Sequence, residues 1–244
     1  MKLIVGIATT PKRVSCLEPT INSLARQSVG IDEVVVVYPR TFARFDYSAV
    51  PDNVVYFLNQ MGVTLYQPEG DRGPAWKFLG AKEFASPEDA VIWCDDDVTY
   101  QRTWAEHLVS VYDKRWAAGQ SGYNIVNDYD KPEYELVEGR GGVICCASNI
   151  PDKGNWPEIS DTAYDQLSEL QQDYFLSDDL VVSQLLRNSG TRVVAYPPTR
   201  LNFKHTISHN QNTAIHKTIS LRKAYTNLIT NQKLWKTKIT TEEA

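Results

Sequence analysis

The residues best suited to chemistry are acidic and clustered. In VIWCDDDVTY, residues 91–100, an apolar run ends in Asp95, Asp96 and Asp97. Neighbouring carboxylates repel, so a strand ending this way needs a counter-charge. Strand alternation puts Asp95 and Asp97 on one side and Asp96 on the other. Two carboxylates converging at a strand end form a hard-oxygen site for Mg²⁺ or Mn²⁺, a cation that keeps waters and takes further ligands from a diphosphate. The same acids would also suit the cap of a following turn or helix.

A second acidic pair stands in FLSDDLVVSQLL, residues 175–186. Ser177 reads as an N-cap, with Asp178 and Asp179 in the first helical turn. They either complement the helix dipole, or one of them is a general base for an incoming hydroxyl.

Cations and glycines flank these acids. TTPKR, residues 9–13, offers the hydroxyls of Thr9 and Thr10, a turn fixed by Pro11, and Arg13, whose forked guanidinium suits phosphate. In EGDRGPAWK, residues 69–77, Asp71 can accept from a base or ribose and Gly73 permits close backbone approach. Pro74 leads into a helix whose start favours an anion, and Lys77 supplies a mobile cation. VEGRGGVICC, residues 137–146, pairs Gly141 with Gly142 beside Arg140, as a strand bulge or a place where a sugar approaches backbone.

The elements that must hold these residues alternate. KLIVGIA, EVVVVYP, VTLYQP and AVIWC read as strands, with a helix from Ser15 to Gln27 and another around Ala75 to Phe84. This rhythm predicts an α/β fold with a mostly parallel sheet between helices, and ligands of such sheets bind beyond the carboxyl ends of the strands. TTPKR and CDDD both fall there. Further along, Thr103 to Ala118 reads as a helix, SGYNIV, GGVICCA and RVVAYP as strands, and Thr162–Gln172 and Asp178–Asn188 as helices. A polar loop, HTISHNQNTAIH, precedes a terminal helix.

The whole chain narrows the possible classes. Its 244 residues suit one domain, and a net charge of −5 argues against a broad nucleic-acid or anionic-membrane footprint. Mean hydropathy of −0.37 is ordinary for a globular protein. No apolar run approaches the roughly 20 residues of a membrane span, and the N-terminus lacks a signal-peptide pattern. The 4 cysteines include no CxxC pair, consistent with buried thiols and a cytoplasmic setting.

Taken together, IATTPKR, DRGPAWK, WCDDD, GRGGV and SDD, spread from Leu3 to about Asn188, resemble the GT-A glycosyltransferases, in particular family-2-like enzymes and related bacterial and large-virus members. The resemblance implies a single GT-A domain over residues 1–244. Within it, 1–100 would form the nucleotide-binding half, 101–200 an acceptor-side half with a smaller sheet, and 201–244 a C-terminal loop and helix. It implies transfer from a nucleotide sugar, uridine being the expected base, to a hydroxyl of a glycan or glycoconjugate, with Mn²⁺ or Mg²⁺ and with inversion. Thr9, Pro11 and Arg13 match the loop that holds the nucleotide, with Tyr38 flanking the base. Asp71, Arg72 and Lys77 match the nucleoside and diphosphate contacts. Asp95 and Asp96 belong to the donor-binding acids, Gly142 to the sugar side, and Asp97 to the direct metal ligand, with Asp95 reaching the metal or ribose. Asp179 matches the catalytic base, with Asp178 as its alternative. Some GT-A enzymes use a late histidine as an added metal ligand, a role open to His205, His209 or His216 here, a surface or core histidine being the commoner finding. A retaining GT-A enzyme, a nucleotidyltransferase, and a non-catalytic nucleotide-sugar or carbohydrate-binding protein are the competing readings.

Overall fold

The computed structural model describes residues 1–125, 134–155, 172, 177–196 and 203–205. A seven-stranded sheet runs in the order β10-β6-β9-β4-β1-β2-β3. Its strands are β1 (Leu3–Ala8), β2 (Glu33–Val37), β3 (Thr64–Tyr66), β4 (Ala90–Cys94), β6 (Trp116–Gly119), β9 (Val143–Cys146) and β10 (Arg192–Ala195). Neighbours pair in parallel except β9, which lies antiparallel between β4 and β6. Two short antiparallel pairs complete the strands. In one, β5 (Val98–Tyr100) meets β11 (Phe203–His205); in the other, β7 (Gly122–Ile125) meets β8 (Tyr134–Val137). The mixed α/β architecture with a mostly parallel sheet is the one expected.

Helices cover both faces because the strands are apolar on both. On one face Ile4, Val35, Val37, Val91 and Trp93 pack against α3 (Trp76–Glu83) and α5 (Asp178–Asn188). On the other, Val5, Ile7, Val36 and Ile92 pack with residues of α1 (Glu18–Leu24), α2 (Asp52–Gln60) and α4 (Trp104–Ser110). Successive residues of β1 therefore feed opposite cores, as a period of two requires. Complete burial of Phe78 and near-complete burial of Leu79 contribute about 1.5–3 kcal/mol each. Among the described residues no helix is long and apolar enough to cross a membrane.

One close approach sets the position of α3. A Cβ added to Gly6 in β1 would lie 1.8 Å from the carbonyl oxygen of Lys77. Only glycine lets the first turn of α3 rest directly on β1, and that contact delivers Lys77 to the sheet edge.

Several expectations change. The first helix is shorter than Ser15–Gln27: a 3-10 turn, Val14–Cys16, precedes α1. The helix expected to Ala118 ends at Ser110, and Trp116–Gly119 is strand β6. Ala117 and Ala118 are wholly buried there, and the strand bonds to β9 and β10. The helix at 162–172 lies outside the described residues save for position 172. Likewise, of the C-terminal segment 201–244 only β11 is described, with His205 opposite Val98. His209 and His216 lie outside it.

Candidate active site

The site forms where β1, β4, α3 and α5 end or begin together. Strand β4 stops at Cys94, so the acidic triplet occupies the connection to β5 rather than the strand. Strand alternation consequently does not govern it, and the expected convergence of Asp95 and Asp97 is corrected. The three acids turn toward two different cations.

Asp96 points inward and is 5% exposed. It accepts a 2.7 Å hydrogen bond from Thr9 Oγ1 and pairs with Arg13, while its own carbonyl accepts from Thr20 Oγ1 at 2.9 Å. Burial pushes the Asp96 carboxyl up to about 6, although Arg13 and the Thr9 hydroxyl act in the opposite direction. Arg13 reaches a second carboxylate, Asp97, at 2.8 Å. Burial opposes the Arg13 charge, but Asp96 and Asp97 outweigh it and hold the guanidinium above its ordinary value.

Asp95 turns to Lys77, 3.0 Å away. The Lys77 ammonium also stands 2.8 Å from Asp178 and 3.7 Å from Asp179, both in the first turn of α5. The mobile cation expected at this position is instead a buried hub between three carboxylates. Burial disfavours its charge; Asp178, Asp95 and Asp179 more than compensate, and its pKa lies well above the ordinary lysine range. Asp179 accepts the backbone N–H of Gly139 at 3.0 Å, and its own carbonyl accepts from Ser183 Oγ at 2.6 Å. Burial first, then the nearby charge of Asp178, raises Asp179 well above the carboxylate range. Asp178 is raised by burial too, with Lys77 opposing.

Tyr100 fixes the turn that presents the triplet. Its hydroxyl accepts from Asp95 N–H at 3.2 Å, and its ring lies 4.2 Å from that of Trp104. Tyr100, Gly139 and Ser183 were not singled out in the sequence: Gly139 meets Asp179 across the fold, while Tyr100 and Ser183 bond acids only a few residues away without any pattern that marks them.

Other expected site residues are placed differently. Tyr38 is fully buried, edge-on to Phe42 at 5.0 Å, and donates to Ser48 O at 2.6 Å, so its ring offers no face to a base. Asp71 accepts from Ala43 N–H at 2.9 Å and Gly73 N–H at 2.7 Å, fixing the loop before α3. Arg72 lies over Trp76, with its guanidinium carbon 5.6 Å from the ring centroid. Pro11 sits in the turn where Arg13 N–H and Val14 N–H both bond Thr10 O at 2.9 Å. Gly142 has φ +82°, and a Cβ there would meet the Trp104 ring at 2.4 Å. Its missing side chain makes room for the Trp104 indole. The glycine bordering the acids is Gly139, where a Cβ would lie 2.3 Å from Lys77 Nζ and 3.1 Å from Asp95 Oδ1.

The donor set can be tested against a divalent cation. Among the described residues no group of three or more ligating side chains converges, so a complete protein cage is absent there. The named groups nevertheless carry an excess of negative charge. Five carboxylates (Asp95, Asp96, Asp97, Asp178, Asp179) against two cations (Arg13, Lys77) give a formal −3. Asp95 and Asp97 remain partly exposed. That combination fits a cation that brings waters and phosphate oxygens with it and needs only one or two protein carboxylates.

No protein-family model matches the chain, and neither does any curated protein sequence. Solved structures do resemble it. S. aureus TarS 1–349 in complex with UDP aligns with TM-score 0.53 and 17% identity, over 98% of this chain and 76% of that one. The same protein in complex with UDP-GlcNAc gives 0.53 and 16%, over 100% and 77%. A longer TarS chain is matched over 95% of this chain, which spans 40% of its length, at TM-score 0.53 and 16% identity. A 4-diphosphocytidyl-2C-methyl-D-erythritol synthase from Anaerococcus prevotii DSM 20548 aligns at 0.50 and 14%, over 93% and 96%. The fold is of the GT-A glycosyltransferase type, with the acidic turn at the carboxyl edge of its sheet.

Proposed function

We propose that the protein is a glycosyltransferase. It moves a sugar from a nucleotide-sugar donor, a UDP-sugar, to a hydroxyl of a glycan or glycoconjugate, with Mn²⁺ or Mg²⁺ and with inversion at the anomeric carbon. One observation carries this reading: Asp95, Asp97, Asp178 and Asp179 gather with Arg13 and Lys77 at the carboxyl edge of a GT-A-type sheet. The UDP and UDP-GlcNAc held by TarS support uridine as the base.

The geometry supports the following roles. Asp97 would hold the cation, which when bound supplies neutralising charge to the diphosphate leaving group. Arg13 would add a forked donor to the phosphate oxygens. Asp179 is the base. Its Oδ1 takes the Gly139 N–H, which leaves Oδ2 to receive the acceptor's proton. A raised pKa suits that task, since a more basic carboxylate accepts a proton more readily provided it is ionised at the working pH. Lys77 fixes the distance between Asp95 and the α5 acids.

The nucleotidyltransferase reading shares the fold of the Anaerococcus synthase. It is disfavoured because the loop after β1, TTPKR, has no glycine to wrap phosphate. The deciding experiment is a screen of UDP-sugars with glycan acceptors, reading UDP release with Mn²⁺ and with EDTA. Metal-dependent UDP release is expected. Pyrophosphate release from a nucleoside triphosphate and a sugar phosphate, with none from any UDP-sugar, would overturn the proposal.

A further inference from the structure

The two cations of the site are not equivalent. Lys77 is 5% exposed and held by three carboxylates, so it cannot leave without stranding them. Arg13 is 26% exposed, projects from a turn, and reaches Asp97, itself 24% exposed, by the outer end of its guanidinium. Its Nε is buried and has no hydrogen-bond partner, although a guanidinium carries five donors. A side chain so placed is under-satisfied, and it lies against the carboxylate assigned to the metal.

The geometry points to Arg13 as an internal counter-ion, occupying the cation position on Asp97 in the nucleotide-free protein and exchanged when a metal–diphosphate arrives. The inference rests on the proposed function for the identity of that ligand. A bare divalent cation approaching Asp97 must displace the guanidinium or sit beside it, and like charges at contact repel. A metal–diphosphate changes the balance. Its phosphate oxygens accept from the displaced guanidinium, including the unused Nε, while the metal takes Asp97. Metal and nucleotide therefore bind together, and metal alone binds poorly. Asp96 pairs with the same terminal nitrogen of Arg13, so the guanidinium keeps one carboxylate partner when Asp97 turns to the metal.

The test is Mn²⁺ binding without nucleotide, read by the free-Mn²⁺ electron paramagnetic resonance signal, in wild type, Arg13→Gln and Arg13→Lys. Expected is Mn²⁺ affinity at least about tenfold higher in Arg13→Gln, with UDP binding in the presence of Mn²⁺ weaker by a similar factor. Arg13→Lys keeps a cation without the fork and is expected between the two, which preserves the test should the glutamine variant not fold. Equal Mn²⁺ affinity in wild type and in every folded variant would overturn the inference. Failure of wild type to bind UDP with Mn²⁺ would instead remove the functional reading, and it is a separate measurement.

Discussion

Gly139 and Lys77 depend on one another: the lysine ammonium occupies the space that any side chain at 139 would need, 2.3 Å from where its Cβ would stand. The same glycine gives its N–H to Asp179. One residue thus both admits the hub cation and orients Asp179, the proposed base. Gly139→Ala is expected to push Lys77 away from Asp95 and Asp179 and to cut transfer by about 10²-fold, as small misplacements of catalytic groups do. A steady-state assay checks this. Full activity in the variant would show that the position of Lys77 does not matter.

Asp179 and Asp178 are adjacent but not interchangeable. Asp178 lies against Lys77 at 2.8 Å, whereas Asp179 is farther, at 3.7 Å, and more exposed. Asp179→Asn is expected to lower kcat by about 10²–10⁴-fold, the usual worth of a general base, while sparing UDP affinity. Kinetics paired with calorimetry would check it; a variant with unchanged kcat would move the base assignment elsewhere.

Asp96 gives a pH signature in stability. Its folded pKa of about 6 exceeds the ordinary value of 3.8, so the folded protein binds this proton more tightly than the unfolded chain does. The sign follows: this contribution is fully present below about pH 4 and is lost as pH rises through 6. Its size is on the order of 3 kcal/mol, for a shift of about two units at 1.36 kcal/mol each. Denaturant titrations at pH 4 and pH 7 should show this part of the pH dependence in wild type and not in Asp96→Asn. Parallel pH dependences in the two proteins would contradict it.

How much of this was legible depends on the range of each interaction. The apolar runs of β1, β2 and β4 announced themselves because parallel strands are buried on both faces. Asp178–Asn188 was equally plain, with acids at its start and a repeating apolar face. By contrast α2, in DNVVYFLNQ, was passed over between two strands. Strand β6, WAAG, was absorbed into the preceding helix because alanine favours helix and only the β9 and β10 ladders make it extended. The acidic triplet was found as a motif, but its geometry was not, since the end of β4 at Cys94 decides which way each carboxylate turns. The pairing of Lys77 with Asp178 was equally hidden. It is made by Gly6, which seats α3 on β1, and no local pattern encodes that contact.

The central claim is that this acidic turn holds a nucleoside diphosphate through a cation on Asp97. Calorimetric titration of UDP in Mn²⁺ and in EDTA, on wild type and Asp97→Ala, tests it most directly. Expected is binding in Mn²⁺ alone, lost by at least about tenfold in the variant. Equal UDP binding with and without metal, or no binding in wild type under either condition, would contradict the claim.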